Sequence, residues 1–432
     1  MEDKIKLLFF GDSPTCSTGF GTVAKNILKR LHDTGKYDIT VVGINFFGDP
    51  HDLPYKIYPA IYNKQNDVYG RQRLLDLLRN TKYDFDILFT LQDTFIMATI
   101  GEQIKKLRDG FVSEKEIYNA ETKQIEKKKV FQKGRNFKWI YYYPIDCAPK
   151  KEWIEQSVSF ANIAVPYTNY AKRECEKFVK RDYKVIYHGF DKDTFYEMSE
   201  KDKKEFKEKF FKENSLKNCY LIVNVNRNQM RKGMFQTLLA FKVFNSIIPN
   251  AVLYTHCDVF DYMGYNLIDI AQSIGLHDNW LYPNPDTYKK GITFPDSFIN
   301  GLYNIADANI STTLGEGFGL SMVEAMATKT INIFPDNTSL SEILADKRGL
   351  LVESGNNPNN LICNGPIDNN LVRPVTDIED MIKKLVWAYS KPKQVKEMTE
   401  KAYQWAFENL NWDKISVEWD NLIRKTIKWQ EK

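Results

Sequence analysis

The sequence predicts an α/β chain of two doubly wound domains, each a parallel sheet with helices on both faces, opening onto a shared cleft. Three observations carry this. The 432 residues exceed what one hydrophobic core usually supports. Short apolar runs alternate with helical patterns along most of the chain. A Lys/Glu-rich stretch, Ser199 to Lys217, interrupts the alternation, which sets the expected domains at residues 1–198 and 199–411. Beyond them, Trp412 to Trp429 is an amphipathic helical pattern.

Ile5 to Phe10 reads as a buried strand, followed by a loop with Gly11, Pro14, Gly19 and Gly21 and a helix from about Thr22 to Thr34. Tyr37 to Val42, Ile87 to Leu91 and Trp139 to Tyr143 repeat the strand pattern. The charged stretch between Asp109 and Lys138, with Glu126-Lys127-Lys128-Lys129, reads as a surface insertion, either a solvated helix or loop or a recognition surface. Ile163 to Pro166 and Lys184 to Tyr187 look like the last strands of the first sheet. Tyr220 to Val225 opens the second sheet, continued by Ala251 to Thr255, Ala308 to Ser311 and Ile331 to Phe334. Residues 354–370, rich in Asn, Gly and Pro, read as a loop.

Composition bounds the function only loosely. With 43% hydrophobic and 27% charged residues the chain is an ordinary globular protein, and a net charge of +4 neither demands nor excludes a nucleic-acid or membrane partner. Six cysteines with no CxxC spacing indicate neither a zinc site nor a disulfide framework, and the histidines form no metal-ligand spacing. The opening apolar run is too short for a signal peptide, and no stretch has the length of a transmembrane segment. A cytoplasmic protein without a metal cofactor is the expectation.

The chemistry concentrates in the second half. Gly315-Glu316-Gly317-Phe318-Gly319-Leu320 runs from a strand into a helix and carries Glu316 in the loop and Glu324 about one turn into the helix. Free N–H groups at such a helix start suit an anion. Such loops also serve plain strand-to-helix packing. Asn226-Arg227-Asn228-Gln229-Met230-Arg231-Lys232-Gly233 likewise follows a strand and precedes a helix, so the cations Arg227 and Lys232 either stabilise the charge of a departing diphosphate or are solvated surface charges, the position after a strand favouring the first. In the first half, Gly19-Phe20-Gly21 either brings backbone close to a phosphate or makes a tight turn.

These segments, in this order, resemble GT-B-fold glycosyltransferases of the family-4 type, which are retaining and nucleotide-sugar dependent. The E-x7-E segment and the Arg227/Lys232 pair are joined by Tyr167-Thr168-Asn169-Tyr170, similar to the family's helix start. Ile186-Tyr187-His188-Gly189-Phe190-Asp191 is similar to its linker motif, and Leu302-Tyr303-Asn304-Ile305-Ala306-Asp307 to its "Y-n-x-A-D" segment. The opening Gly11-Asp12-Ser13-Pro14-Thr15 resembles virus-encoded members. The resemblance implies two Rossmann-like domains and a hexosyltransferase with a UDP-linked donor. It implies that Glu316 contacts donor-sugar hydroxyls, Glu324 the ribose, and Arg227 with Lys232 the diphosphate. Gly317, Phe318, Gly319 and Leu320 would add N–H contacts, and Gly19, Phe20 and Gly21 would close from the opposite domain. It also implies that the C-terminal helix, about 412–432, packs back on the first domain.

Two departures stand out. Where many members have a histidine after the strand Trp139 to Tyr143, this chain has Asp146, which either orients the acceptor or a donor hydroxyl or caps a helix. The linker's usual Asn is His188, either a packed histidine or a catalytic one; Asp93 is a further site candidate. The acceptor stays open among glycan, protein, small molecule and modified bases of DNA. A catalytically inactive sugar-nucleotide-binding protein on the same fold is the alternative from another class.

Overall fold

The computed structural model describes residues 4–61, 67–119, 123–211, 216, 218–289 and 294–428. In chain order its strands are β1 (Ile5–Asp12), β2 (Tyr37–Ile44), β3 (Lys56–Pro59), β4 (Ile87–Leu91), β5 (Gly110–Asn119), β6 (Gln124–Lys133), β7 (Lys138–Tyr143) and β8 (Ile163–Pro166). All but β5 and β6 form a parallel sheet in the order β3-β2-β1-β4-β7-β8. A second parallel sheet, in the order β11-β10-β9-β12-β13-β14, is built from β9 (Tyr220–Asn224), β10 (Ala251–Thr255), β11 (Trp280–Leu281), β12 (Ala308–Ile310), β13 (Ile331–Pro335) and β14 (Leu350–Val352). A short antiparallel pair, β15 (Leu361–Cys363) and β16 (Val372–Pro374), follows.

Both sheets have the doubly wound order that reverses beside the first strand, between β1 and β4 and between β9 and β12, where open α/β sheets take ligands. Because helices cover both faces, the strands are apolar without alternation: Phe9 and Phe10 are adjacent, point to opposite faces, and are both fully buried.

Three sequence expectations are corrected. The charged stretch between Asp109 and Lys138 is neither helix nor loop: β5 and β6 pair antiparallel over ten residues each. Lys184 to Tyr187 is not a strand, since this extended segment meets the sheet through one bridge, Ala164 to Tyr183. The first helix, Gly19–Asp33, begins a turn early, because Thr18 caps it by accepting from the Gly21 N–H at 3.0 Å.

Residues 196–211 pack on the second sheet's side, with the Tyr196 N–H donating to Asn300 Oδ1 at 3.1 Å and Gly301 lying against Phe206. The helix Trp412–Lys428 returns to the helix Gly19–Asp33: Arg30 Nε pairs with Asp413 at 3.0 Å, Tyr37 Oη donates to Asp420 at 2.7 Å, and the Trp419 ring sits 4.8 Å from that of Phe89. Trp429 lies outside the described residues. The chain thus crosses between the halves twice, and the crossings touch: the Phe190 N–H donates to Leu410 O at 2.9 Å, and a Cβ on Gly189 would meet Trp412 N at 2.7 Å. Among the described residues no helix is long and apolar enough to cross a membrane.

Candidate active site

The second half supplies a rigid loop. Gly319, at φ 100°, precedes the helix Leu320–Ala327 and has no side chain to cap it, which leaves first-turn N–H groups open to a ligand. Three hydrogen bonds from the helix Thr338–Ile343 hold the loop. Glu316 N–H donates to Thr338 Oγ1 at 3.0 Å, and Ser339 Oγ donates to the carbonyls of Glu316 at 2.8 Å and Phe318 at 3.0 Å. Thr338, which starts that helix, has φ 50°, a left-handed conformation costly for a β-branched residue, so its surroundings hold it where its hydroxyl meets Glu316 N–H.

Cations converge on Glu316. Lys232 Nζ lies 2.5 Å from Glu316 Oε1, and Arg231 Nη1 lies 3.5 Å from Oε2 while donating to Gly315 O at 2.9 Å. Burial alone would raise the Glu316 pKa, but Lys232 and then Arg231 outweigh it and hold the carboxyl at about 2. Lys232 is lowered to about 8, by burial first and then by Arg231. The turn carrying these cations needs Gly233, at φ 62°, where a Cβ would stand 2.3 Å from Thr312 O.

The first half closes on this loop directly. A Cβ on Gly315 would lie 2.0 Å from Asp146 O, and one on Gly317 2.5 Å from Pro144 Cβ. The Asp146 carboxylate stands 3.8 Å from Arg231 Nε and 3.5 Å from Arg373 Nη1, and Arg373 is itself fixed by Asp368 at 2.5 Å. A partly buried carboxylate–cation chain therefore spans the two halves.

Residues 205–405 match the model of the family described as glycosyl transferases group 1. The chain is a glycosyltransferase with the GT-B fold. Among solved structures it is similar to Anabaena HepE in complex with UDP-glucose, at 13% identity and TM-score 0.69 over 98% of this chain and 100% of that one. A sucrose-phosphate synthase from Thermosynechococcus elongatus gives 13% identity and TM-score 0.72, with 98% and 100% covered. A glycosyltransferase from Rickettsia africae gives 16% and 0.67, with 98% of each chain covered. No curated protein matches the sequence.

Within this glycosyltransferase the sequence-derived residues separate. Glu316, Lys232 and Asp146 meet, as described. Arg227 turns instead to Asp261, at 2.7 Å, with half of its side chain exposed. Glu324 faces Tyr303 Oη at 3.5 Å, and burial, then Asp296, push its carboxyl up to about 8. Asp93 is pushed up to about 7 by burial and then by Asp146, with Asp12 adding to the effect. Asp12, Asp93 and Asp146 follow or end the adjacent strands β1, β4 and β7, so the first-domain lip of the cleft is acidic.

Of the two readings of His188, the packed one fits its surroundings: it is buried, its ring 4.1 Å from that of Tyr167 and 4.7 Å from that of Phe318, and burial lowers its pKa to about 3. Its Nδ1 pairs with Tyr142 Oη at 2.7 Å, and that hydroxyl donates to Ile186 O at 2.9 Å. Gly21 serves the local turn, since a Cβ there would sit 2.4 Å from Cys16 O, whereas Gly19 faces Leu320 of the opposite half. Phe20, between them, is half-buried and packs against the core.

Sequence reasoning missed Arg231, Arg373 and Glu342. Arg231 stood beside Lys232 in a basic Arg-Lys-Gly run, which was the available signal. Arg373 had none, arising from the short β15–β16 pair. Glu342 accepts from Asn169 N at 3.1 Å, Asn169 Nδ2 at 2.8 Å and Tyr170 N at 2.8 Å, and from Tyr187 Oη. It therefore ties the helix that shapes the glycine loop to the helix Asn169–Glu176 of the other half. Among the described residues no group of three or more His, Cys, Asp or Glu side chains is arranged to hold a metal ion.

Proposed function

We propose that this glycosyltransferase moves a hexose from a UDP-linked sugar to an acceptor hydroxyl with retention of anomeric configuration, in the cytoplasm. One observation carries the reading: Lys232 and Arg231 converge on Glu316 beside the uncapped start of the helix Leu320–Ala327. Cations, a sugar-binding carboxylate and open N–H groups in one buried place are what a nucleotide-diphosphate sugar requires. The complex of the similar Anabaena protein with UDP-glucose supports the choice of donor.

In this reading the diphosphate rests on the N–H groups of Gly317 to Leu320, and Lys232 and Arg231, with Arg227 at the outer edge, neutralise the charge that grows as the glycosidic bond lengthens. Glu316 accepts from donor-sugar hydroxyls and Glu324 from the ribose. Gly19 and Phe20 cover the donor from the first half, and Asp146 orients the incoming hydroxyl. The acceptor attacks from the face the diphosphate leaves, and its proton passes to a leaving phosphate oxygen. Protein groups alone supply the positive charge in this scheme.

A panel of nucleotide sugars tests the reading, with binding followed by thermal shift, turnover by release of nucleoside diphosphate, and product configuration by the anomeric proton coupling. UDP release and a retained anomer are expected. Absence of binding and release across the panel would overturn it. Loss of turnover with retained fold in Glu316→Ala separates an enzyme from an inactive binding protein.

A further inference from the structure

The β5–β6 hairpin leaves the first half between the helix Gly101–Asp109 and the start of β7, at the end of the sheet opposite the cleft. Its register puts Val112 beside Phe131, Glu114 beside Lys129, Glu116 beside Lys127 and Tyr118 beside Ile125, all on one face. The four apolar side chains there are 60%, 63%, 62% and 67% exposed for Val112, Phe131, Tyr118 and Ile125. On the other face, Phe111, Ser113, Val130 and Gln132 near the base are half-buried, so the exposed face is the outer one. A two-stranded hairpin is marginally stable in water by itself, and a row of large apolar side chains on an open face marks an interaction surface.

The pattern also indicates the partner. Going out from the base, the rows are apolar, Glu/Lys, Glu/Lys and apolar, with both glutamates on β5 and both lysines on β6. A two-fold axis running along the hairpin exchanges the strands and keeps the rows. It sets Glu114 over the partner's Lys129, Glu116 over the partner's Lys127, and apolar rows over apolar rows. An axis across the strands would instead set Glu114 against the partner's Glu116. A polyanion would meet two glutamates in the middle of the patch, and a lipid surface would meet four charges there.

We propose that this face is a homodimer interface in which two hairpins stack with their glutamates over the partner's lysines. Such an isologous contact lies far from the cleft and leaves both active sites open. The test is molar mass by light scattering on the full chain across a concentration series, with two charge variants. The wild type should show twice the 50.5 kDa of one chain. Glu114→Lys with Glu116→Lys makes the patch all-basic, and Lys127→Glu with Lys129→Glu makes it all-acidic. Each variant alone should run as a monomer with an unchanged circular dichroism spectrum, and mixing the two should restore the doubled mass. A monomeric wild type at every concentration, a dimer that both variants leave intact, or variants that stay apart on mixing would each overturn the proposal. So would a monomer whose hairpin binds DNA or lipid vesicles.

Discussion

Lys232 and Glu316 form a buried ion pair, Nζ to Oε1 at 2.5 Å, with side chains only 12% and 11% exposed. The pair holds the site's cation and its carboxylate in place before any ligand arrives. Glu316→Gln leaves Lys232 buried against a neutral amide beside Arg231, which should cost about 3–5 kcal/mol of stability and lower turnover about 100-fold or more. Because the Glu316 pKa is depressed from 4.5 to about 2, the stability it contributes is present above pH 4.5 and lost as pH falls toward 2. Thermal unfolding of both proteins between about pH 2.5 and 7, alongside donor turnover at neutral pH, checks this.

Glu324 has the opposite sign. Its carboxyl holds a proton in the folded protein up to about pH 8, against 4.5 unfolded, so native stability from this group falls as pH rises between those values. Glu324→Gln carries no such dependence. Its melting temperature relative to the wild type should climb steadily across that window, and a difference that stays flat would refute the environment assigned to Glu324.

His188 contributes packing. With its pKa near 3, it is neutral throughout the range in which the enzyme would be assayed. His188→Asn should therefore leave the pH profile of turnover unchanged between about pH 5.5 and 8, while losing about 1–3 kcal/mol of stability with its ring contacts. A profile that changes shape would return His188 to the chemistry.

Gly317 sets how closely the halves approach. A methyl there would stand 2.5 Å from Pro144 Cβ, so Gly317→Ala must push the lips of the cleft apart. The expected outcome is a raised KM for the donor and a melting temperature lowered by the equivalent of about 1–3 kcal/mol. Steady-state kinetics with scanning calorimetry would show it.

What the sequence disclosed follows from how locally each feature is encoded. β1, β4 and β9 were legible because strands buried on both faces are written as unbroken apolar runs. β5 and β6 were not, since Val112, Tyr118, Ile125 and Phe131 face solvent and the intervening Lys and Glu read as a solvated helix or loop. Glu316 and Lys232 were legible from their loops, each of which follows a strand. Which neighbouring arginine joins them was not: Asp261 draws Arg227 away, and Asp146, far off in sequence, engages Arg231. Arg373 reaches the site only through folding of the β15–β16 pair, and His188 is enclosed by aromatic rings from four separate segments.

The contact between the two crossing segments, Phe190 N–H to Leu410 O, brings both connections between the halves together at one place. The rings around His188 come from both sides of that junction, Tyr142 and Tyr167 from the first half, Phe318 from the second and Trp412 from the returning helix. Pro144 lies two residues beyond Tyr142 and Gly317 directly precedes Phe318, so the meeting of Gly317 with Pro144 and the packing around His188 are parts of one continuous seam between the halves.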